Sequence, residues 1–188
     1  QQASQERFNQ YGLTGCLTVY KSSLKNTEFQ VDGGVCEDSL NIIRSNGNLN
    51  SIVVSNAFSD AVDIDFSSIN ISNLKVKKAG NDCFDVSGGI YSVVKATLVS
   101  CVDKGISVGE ASILNASQVI LKSTSIGISS KDSSKVEVMK ATFEQSEICT
   151  EVIQKKQEFG GASLNIHELN CIGKNFIDNH SIFLRGTP

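Results

Sequence analysis

The stretch that decides the fold reads DSLNI (38–42), DAVDI (60–64), DCFDV (82–86), KGISV (104–108), IGISS (126–130) and ICTEV (148–152). The middle residues of these segments are Leu40, Val62, Phe84, Ile106, Ile128 and Thr150, and each lies 22 residues after the last. A fixed period of this length marks a solenoid, because one repeat cannot bury its apolar face except against the next. Alternation assigns the faces. Leu40/Ile42, Val62/Ile64, Phe84/Val86, Ile106/Val108 and Ile128 point inward. Asn41, Asp63, Asp85, Ser107, Ser129 and Glu151 form an outward column.

Further alternating runs lie between these segments: INISNLKV (69–76), YSVVKATLV (91–99), ILNASQVIL (113–121) and VEVMKATF (136–143). They give two or three short strands per turn of 22 residues. That is the length of one coil of a single-stranded right-handed parallel β-helix, which advances about 4.8 Å per coil. Roughly seven coils make a rod on the order of 34 Å. The expected organisation is one all-β domain over 1–188. Residues 1–15 serve as an N-terminal cap or lead-in, 16–157 as regular coils, and 158–188 as the last coil and cap, since an open coil exposes strand edges.

The composition agrees. One proline, no tryptophan and short β-branched runs broken by Gly, Asn and Ser are the pattern of many short strands, not of amphipathic helices. A sandwich or meander calls for hairpin turns between neighbouring strands. Here Asn46-Gly47 and Asp32-Gly33-Gly34 are the turns of that type. The Leu and Asn ladder of a leucine-rich solenoid is missing. The net charge of -3 gives no reason to expect nucleic acid. No apolar run approaches the roughly 18 residues of a membrane span. The opening QQASQERFNQYG has no leader pattern, which a mature chain or a fragment lacks in any case.

The cysteines at 16, 36, 83, 101, 149 and 171, paired in order, are 20, 18 and 22 residues apart. Each spacing is close to one coil, so each pair could sit on adjacent coils at the Cα separation of about 4.4–6.8 Å that a disulfide needs. Buried free thiols are the equal alternative. No Cys/His spacing suits zinc. Disulfides would imply an oxidising compartment. The sequons at Asn70, Asn115 and Asn179 permit glycosylation.

Chemistry concentrates in an acidic cluster. Asp60, Asp63, Asp65, Asp82, Asp85 and Asp103 fall in neighbouring coils. Stacking makes Asp63 a neighbour of Asp85, and Asp60 a neighbour of Asp82. Carboxylates that close raise one another's proton affinity or recruit a cation, with Asp63 and Asp85 the candidate Ca²⁺ ligands. The bland alternative is a solubilising outer surface whose Asp and Asn residues cap turns. His167 and His180 read as structural or solvated, Gly88-Gly89 as a turn, and Lys75, Lys77, Lys78 and Lys95 as a solvated face.

Residues 59–110 resemble the central coils of the polygalacturonase-type pectin hydrolases, a pectin-lyase-like β-helix group. Their motifs are Asn-Thr-Asp-Gly, Asp-Asp-Cys, Gly-His-Gly and Arg-Ile-Lys. Aligned by coil, Asp60 falls on the first motif's aspartate and Asn81-Asp82-Cys83 on Asp-Asp-Cys. Lys104-Gly105 falls on His-Gly, and Ser129-Ser130-Lys131 on Arg-Ile-Lys. The resemblance implies Asp60 and Asp82 as an acid/base pair, Lys104 or Lys131 as base or charge partner, and a Cys83–Cys101 bond. Asn81, Lys104 and Ser129 depart from it and remove groups that position substrate. Over residues 12–184 the chain also resembles β-helix segments at the C-terminus of bacterial surface proteins with a spore-coat-kinase-like region upstream. That implies a carbohydrate-associated module within a larger chain.

The expectation is a non-catalytic extracellular or surface β-helix that binds polysaccharide or serves as a rigid scaffold, with Asn81, Asp63, Asp65, Asp85 and Asp103 as binding residues. It takes no cofactor, or Ca²⁺. The alternative is a polyuronate-type hydrolase, lyase or epimerase acting through Asp60, Asp63, Asp82 and Asp85. The discriminating feature is a groove, because polymer cleavage needs walls around the site. Turns this short predict a flat face.

Overall fold

The computed structural model describes residues 8–186. Residues 1–7 of the expected lead-in lie outside that range. The strands are β1 (Gly15–Tyr20), β2 (Ser23–Asp32), β3 (Asp38–Ile43), β4 (Asn46–Ala57), β5 (Asp60–Asp65), β6 (Ser68–Ala79) and β7 (Phe84–Ser87). They continue as β8 (Ile90–Gly109), β9 (Ile113–Lys131), β10 (Lys135–Ile153), β11 (Ser163–Asn170), β12 (Lys174–Ile177) and β13 (Ile182–Arg185). Every pairing among them is parallel. One stack runs β1, β3, β5, β7 and on through the later halves of β8, β9 and β10 to β12. The other runs β2, β4, β6 and on through the earlier halves of β8, β9 and β10 to β11 and β13. The molecule is a parallel β-solenoid of about eight turns, one more than the repeat count suggests. The extra turn comes from the ends, where the period stretches: Leu17 pairs with Leu40, and Thr150 with Asn175.

The 22-residue column is real. Leu40, Val62, Phe84, Ile106 and Ile128 pair in sequence and are buried. It ends on a polar plug, where the Thr150 hydroxyl donates to Asn175 Oδ1 at 2.8 Å. In the second stack the alternation slips once per coil. Leu49 and Ile52, Ile71 and Leu74, and Val93 and Ala96 all face the core three residues apart, around the unpaired Asn50, Ser72 and Val94. The slip bends the strand and lets one coil wrap the core.

Two corners close each coil, and both use the left-handed region. One corner places Lys21, Arg44, Phe66, Gly88, Glu110 and Asp132 at φ between 49° and 61°. The other uses Asn56, Lys78, Ser100, Ser123 and Gln145. Most of these residues are not glycine, and such a conformation is costly unless its surroundings enforce it. Here the stacking enforces it, since the Arg44 and Phe66 amides donate to Asp65 O and Ser87 O of the next coil.

A serine ladder follows the first corner. Ser45 Oγ accepts the Ser22 amide at 3.0 Å and donates to Ile43 O, and Ser67 Oγ accepts the Ser45 amide at 3.0 Å and donates to Asp65 O. The next rung is Gly89, which has no hydroxyl. Tyr91 supplies one from inside the core: its hydroxyl lies 2.8 Å from Ser87 O and 3.4 Å from the Ser67 amide. A Cβ at position 89 would lie 2.2 Å from the Ser67 backbone oxygen and 2.3 Å from that hydroxyl, so this rung has room for glycine alone. Tyr91→Leu is expected to cost about 2 kcal/mol by stranding buried polar groups. Gly89→Ser is expected to destabilise as well, because its Cβ meets the Ser67 backbone oxygen whether or not the tyrosine is present; urea denaturation of both variants reports the losses. Wild-type stability in Tyr91→Leu would contradict the role of this hydroxyl.

Three disulfides form: Cys16–Cys36, Cys83–Cys101 and Cys149–Cys171, with Cα separations of 5.4, 5.4 and 6.2 Å. No cysteine is free. The bonds do not join equivalent positions on adjacent coils. Cys83 immediately precedes the Val62–Phe84–Ile106 column, whereas Cys101 pairs with Ala79 in the other stack, so the bond closes a single turn upon itself. Such bonds are compatible with an extracellular location. Among the described residues, no helix is long and apolar enough to cross a membrane.

Candidate functional site

The acidic residues lie on and beside the first stack, where β3, β5 and β7 place Asn41, Asp63 and Asp85 in one register line and Asp38 beside Asp60. The structure gives them two kinds of work, and Asp60 takes part in both.

The first group is a ladder of caps. Asp60 Oδ1 accepts the Asp82 amide at 2.8 Å and the Asn81 side-chain amide at 2.7 Å. Asp82 Oδ1 accepts the Lys104 amide at 2.9 Å. Lys104 Nζ lies 3.6 Å from Asp82 and pairs with Asp103. These carboxylates satisfy backbone donors at the point where each coil enters its strand, where the backbone is otherwise left unpaired. Burial raises Asp82 to about 6 against the pull of Lys104, and raises Asp60 to about 7.

The second group lines a polar cleft of about 530 Å³. Asp60, Asp63, Asp65 and Asp85 form its acidic end, and Lys131, Lys155 and Lys156 its basic end. The face is therefore not flat. One wall is the corner bearing Phe66, Glu110 and Asp132. The other features that raise it are Thr14 and the connection from β10 to β11 that carries Lys155 and Lys156. Asp132 Oδ1 accepts the amides of both lysines at 2.7 Å, which fixes that connection over the stack. Lys156 pairs with Glu110. Lys131 Nζ donates to Ser107 Oγ at 2.7 Å, and Ser129 donates to Glu151 at 2.6 Å. This explains why part of the outward column is covered: Ser107 and Ser129 are fully buried because Lys131 and Glu151 fold across them, and Asn41 is buried against Asp63 and Asp65.

Asn41 ties the acidic end together. Its Nδ2 lies 3.3 Å from Asp63 Oδ2 and 3.5 Å from Asp65 Oδ2. Burial, then the charges of Asp65, Asp38 and Asp85, push Asp63 up to about 10, so it keeps its proton at neutral pH. Burial raises Asp65 to about 6 against its hydrogen bond from Asn41. The cleft thus presents a carboxylic acid, which donates, among carboxylates, which accept. Phe66 stands at the rim, 55% exposed, with its ring against Gly88, where a Cβ would lie 2.5 Å from the ring.

Of the residues expected in a site, Asp60, Asp63, Asp65, Asp85 and Lys131 line the cleft. Asn81, Asp82, Asp103 and Lys104 do not line it and belong to the capping ladder. The acid/base pair implied by the pectin-hydrolase resemblance is therefore split, with Asp82 turned to backbone and lysine. Asp38, Phe66, Glu110, Asp132 and Lys156 enter the cleft without having been singled out in the sequence as site residues. The available signal was that 66, 110 and 132 fall on one 22-residue register, two periods and then one period apart. Among the described residues, no three His, Cys, Asp or Glu side chains form a group able to hold a metal.

No family model, curated protein or solved structure matches the chain. The solenoid rests on its own register, and the chemistry of the cleft rests on its own residues.

Proposed function

We propose that the chain is a non-catalytic extracellular or surface module that binds a glycan along this cleft. The observation that carries the reading is the union of a proton-bearing carboxyl (Asp63), accepting carboxylates and an exposed aromatic ring in one open groove. Each sugar hydroxyl both donates and accepts, and a pyranose face stacks on an aromatic ring. The groove follows the stacking direction, which suits a polymer better than a compact ligand. The three disulfides favour an oxidising compartment. Against catalysis, a general acid works best with a proton affinity near the operating pH, and Asp63 lies far above it.

The second reading is a polysaccharide-active enzyme. It is favoured by Asp60, which burial raises to about 7 in a walled cleft. One screen separates the readings: a glycan array and a polyuronate-cleavage assay, each with and without Ca²⁺. The proposed module retains an oligosaccharide and releases no reducing ends, and Phe66→Ala weakens retention about tenfold, the equivalent of a stacking contact. Cleavage that disappears in Asp60→Ala/Asp82→Ala would establish the enzyme instead. Retention of no glycan would leave a scaffold and overturn the binding reading.

A further inference from the structure

The connection between β10 and β11 differs from all the others. It runs from Gln154 to Ala162, nine residues, while no other connection between strands exceeds five. It is also the one that carries paired basic residues. Among the described residues every other Lys or Arg lies inside a strand, apart from Lys21 and Arg44 in two-residue corners. Residues 155–158 are exposed. A protease must draw the residues around the bond out of their hydrogen bonds, and strand residues in a solenoid are held on both sides. Exposed loop tips are where nicking concentrates.

The ends of this loop are tied to Asp178 and Ser181, and its exposed part is held mainly by one neighbouring corner. Asp132 accepts the amides of Lys155 and Lys156, and Ser133 Oγ accepts the Gly160 amide at 2.7 Å. The Lys156 side chain adds its pair with Glu110. The peptide bond after Lys156 opens the exposed tip, Gln157 and Glu158. Meanwhile Cys149 and Cys171 lie on opposite sides of the loop and are bonded to each other. β10 also holds β11 and β12 by parallel ladders.

We propose that Lys155-Lys156 is a processing site for a protease selective for basic residues, yielding a two-chain molecule that keeps its fold. One water is consumed as the Lys156–Gln157 amide C–N bond breaks. Lys156 acquires a carboxylate and Gln157 an amine. The fragment 157–188 stays attached through Cys149–Cys171. Because both lysines line the cleft, the new carboxylate forms at its basic end and the wall above Lys131 loosens.

The test is limited trypsin digestion of the disulfide-intact protein, read by mass spectrometry and by electrophoresis with and without reductant. The first cut is expected after Lys155 or Lys156, with the two pieces separating only on reduction. Lys155→Gln/Lys156→Gln should lengthen the half-life of the intact chain at least tenfold. Ser133→Ala, which removes the hydroxyl that holds the Gly160 amide and leaves the backbone bond to Gly160 O, should shorten it. A first cut elsewhere, for example after Lys77 or Lys78, would overturn the proposal. So would equal rates for wild type and the double variant, which would show that digestion passes through global unfolding, or pieces that part without reductant.

Discussion

The protein is expected to unfold at a higher temperature at pH 5 than at pH 8, by roughly 8 °C or more. Asp60, Asp65 and Asp82 hold protons more tightly in the fold than in the open chain, where the ordinary value is 3.8. Burial is the leading cause in each. The stabilisation from these protons is fully present below about pH 4. It drains as pH rises through about 6 for Asp65 and Asp82 and about 7 for Asp60, and Asp63 holds its proton beyond neutrality. At about 1.4 kcal/mol per tenfold change in proton affinity, Asp82 alone accounts for about 3 kcal/mol between its ordinary and folded values, of which about 1.4 kcal/mol falls above pH 5; Asp60 adds about twice that. A domain of this size moves about 2–4 °C per kcal/mol. Asp32 and Glu168, which are exposed, and the half-buried Asp178 act in the opposite sense, and they lose their effect only at stronger acid. Asp60→Asn removes a buried charge and Asp63→Asn removes the cost of taking up a proton on folding, and both keep an acceptor oxygen, so both should flatten the profile and gain stability at pH 8. Thermal unfolding from pH 4.5 to 8.5 gives the answer, and a flat or rising profile in wild type would contradict the burial of these carboxyls.

A fourth disulfide should form in Ala61→Cys/Ala79→Cys. Ala79 pairs in register with Cys101, and Ala61 occupies the position one coil before Cys83. The separation of 18 residues equals that of Cys83–Cys101. Both alanines are buried at the same corner, so the new bond closes the neighbouring turn as the native one closes its own. Closing a loop of this length contributes about 3 kcal/mol by restricting the unfolded chain. Intact mass with thiol labelling reports the bond, and denaturation with and without reductant reports its effect. Two free thiols after oxidative refolding would show that the corner is not the repeated element described above.

Most of the architecture was legible because a solenoid writes its vertical neighbours into the sequence at one period. Leu40, Val62, Phe84, Ile106 and Ile128 announced both the fold and the stacking of Asp63 on Asp85. The corners were not legible. Phe66, Lys78 and Ser100 occupy left-handed positions where turn chemistry would call for Gly or Asn, because stacking hydrogen bonds override local preference. The disulfides were visible as spacings of about one coil, which does not distinguish a bond between coils from a bond that closes one. The cleft was missed for a related reason. Residues 154–157 looked like the end of the regular coils, yet they begin the one long connection, and Asp132 pins it over the acidic face. Hydrogen bonds also separated carboxylates that look alike in sequence: Asp82 caps a backbone amide, while Asp63 faces the groove.

The most direct measurement is the titration of the Asp63 carboxyl carbon by NMR, in wild type and in Asp85→Asn. The two residues are 22 apart in the chain and adjacent in the stack. Asp63 should retain its proton past pH 7, and removing the Asp85 charge should lower its midpoint measurably. A midpoint near 4 that ignores the substitution would mean that the coils do not bring these side chains together in a shielded cleft.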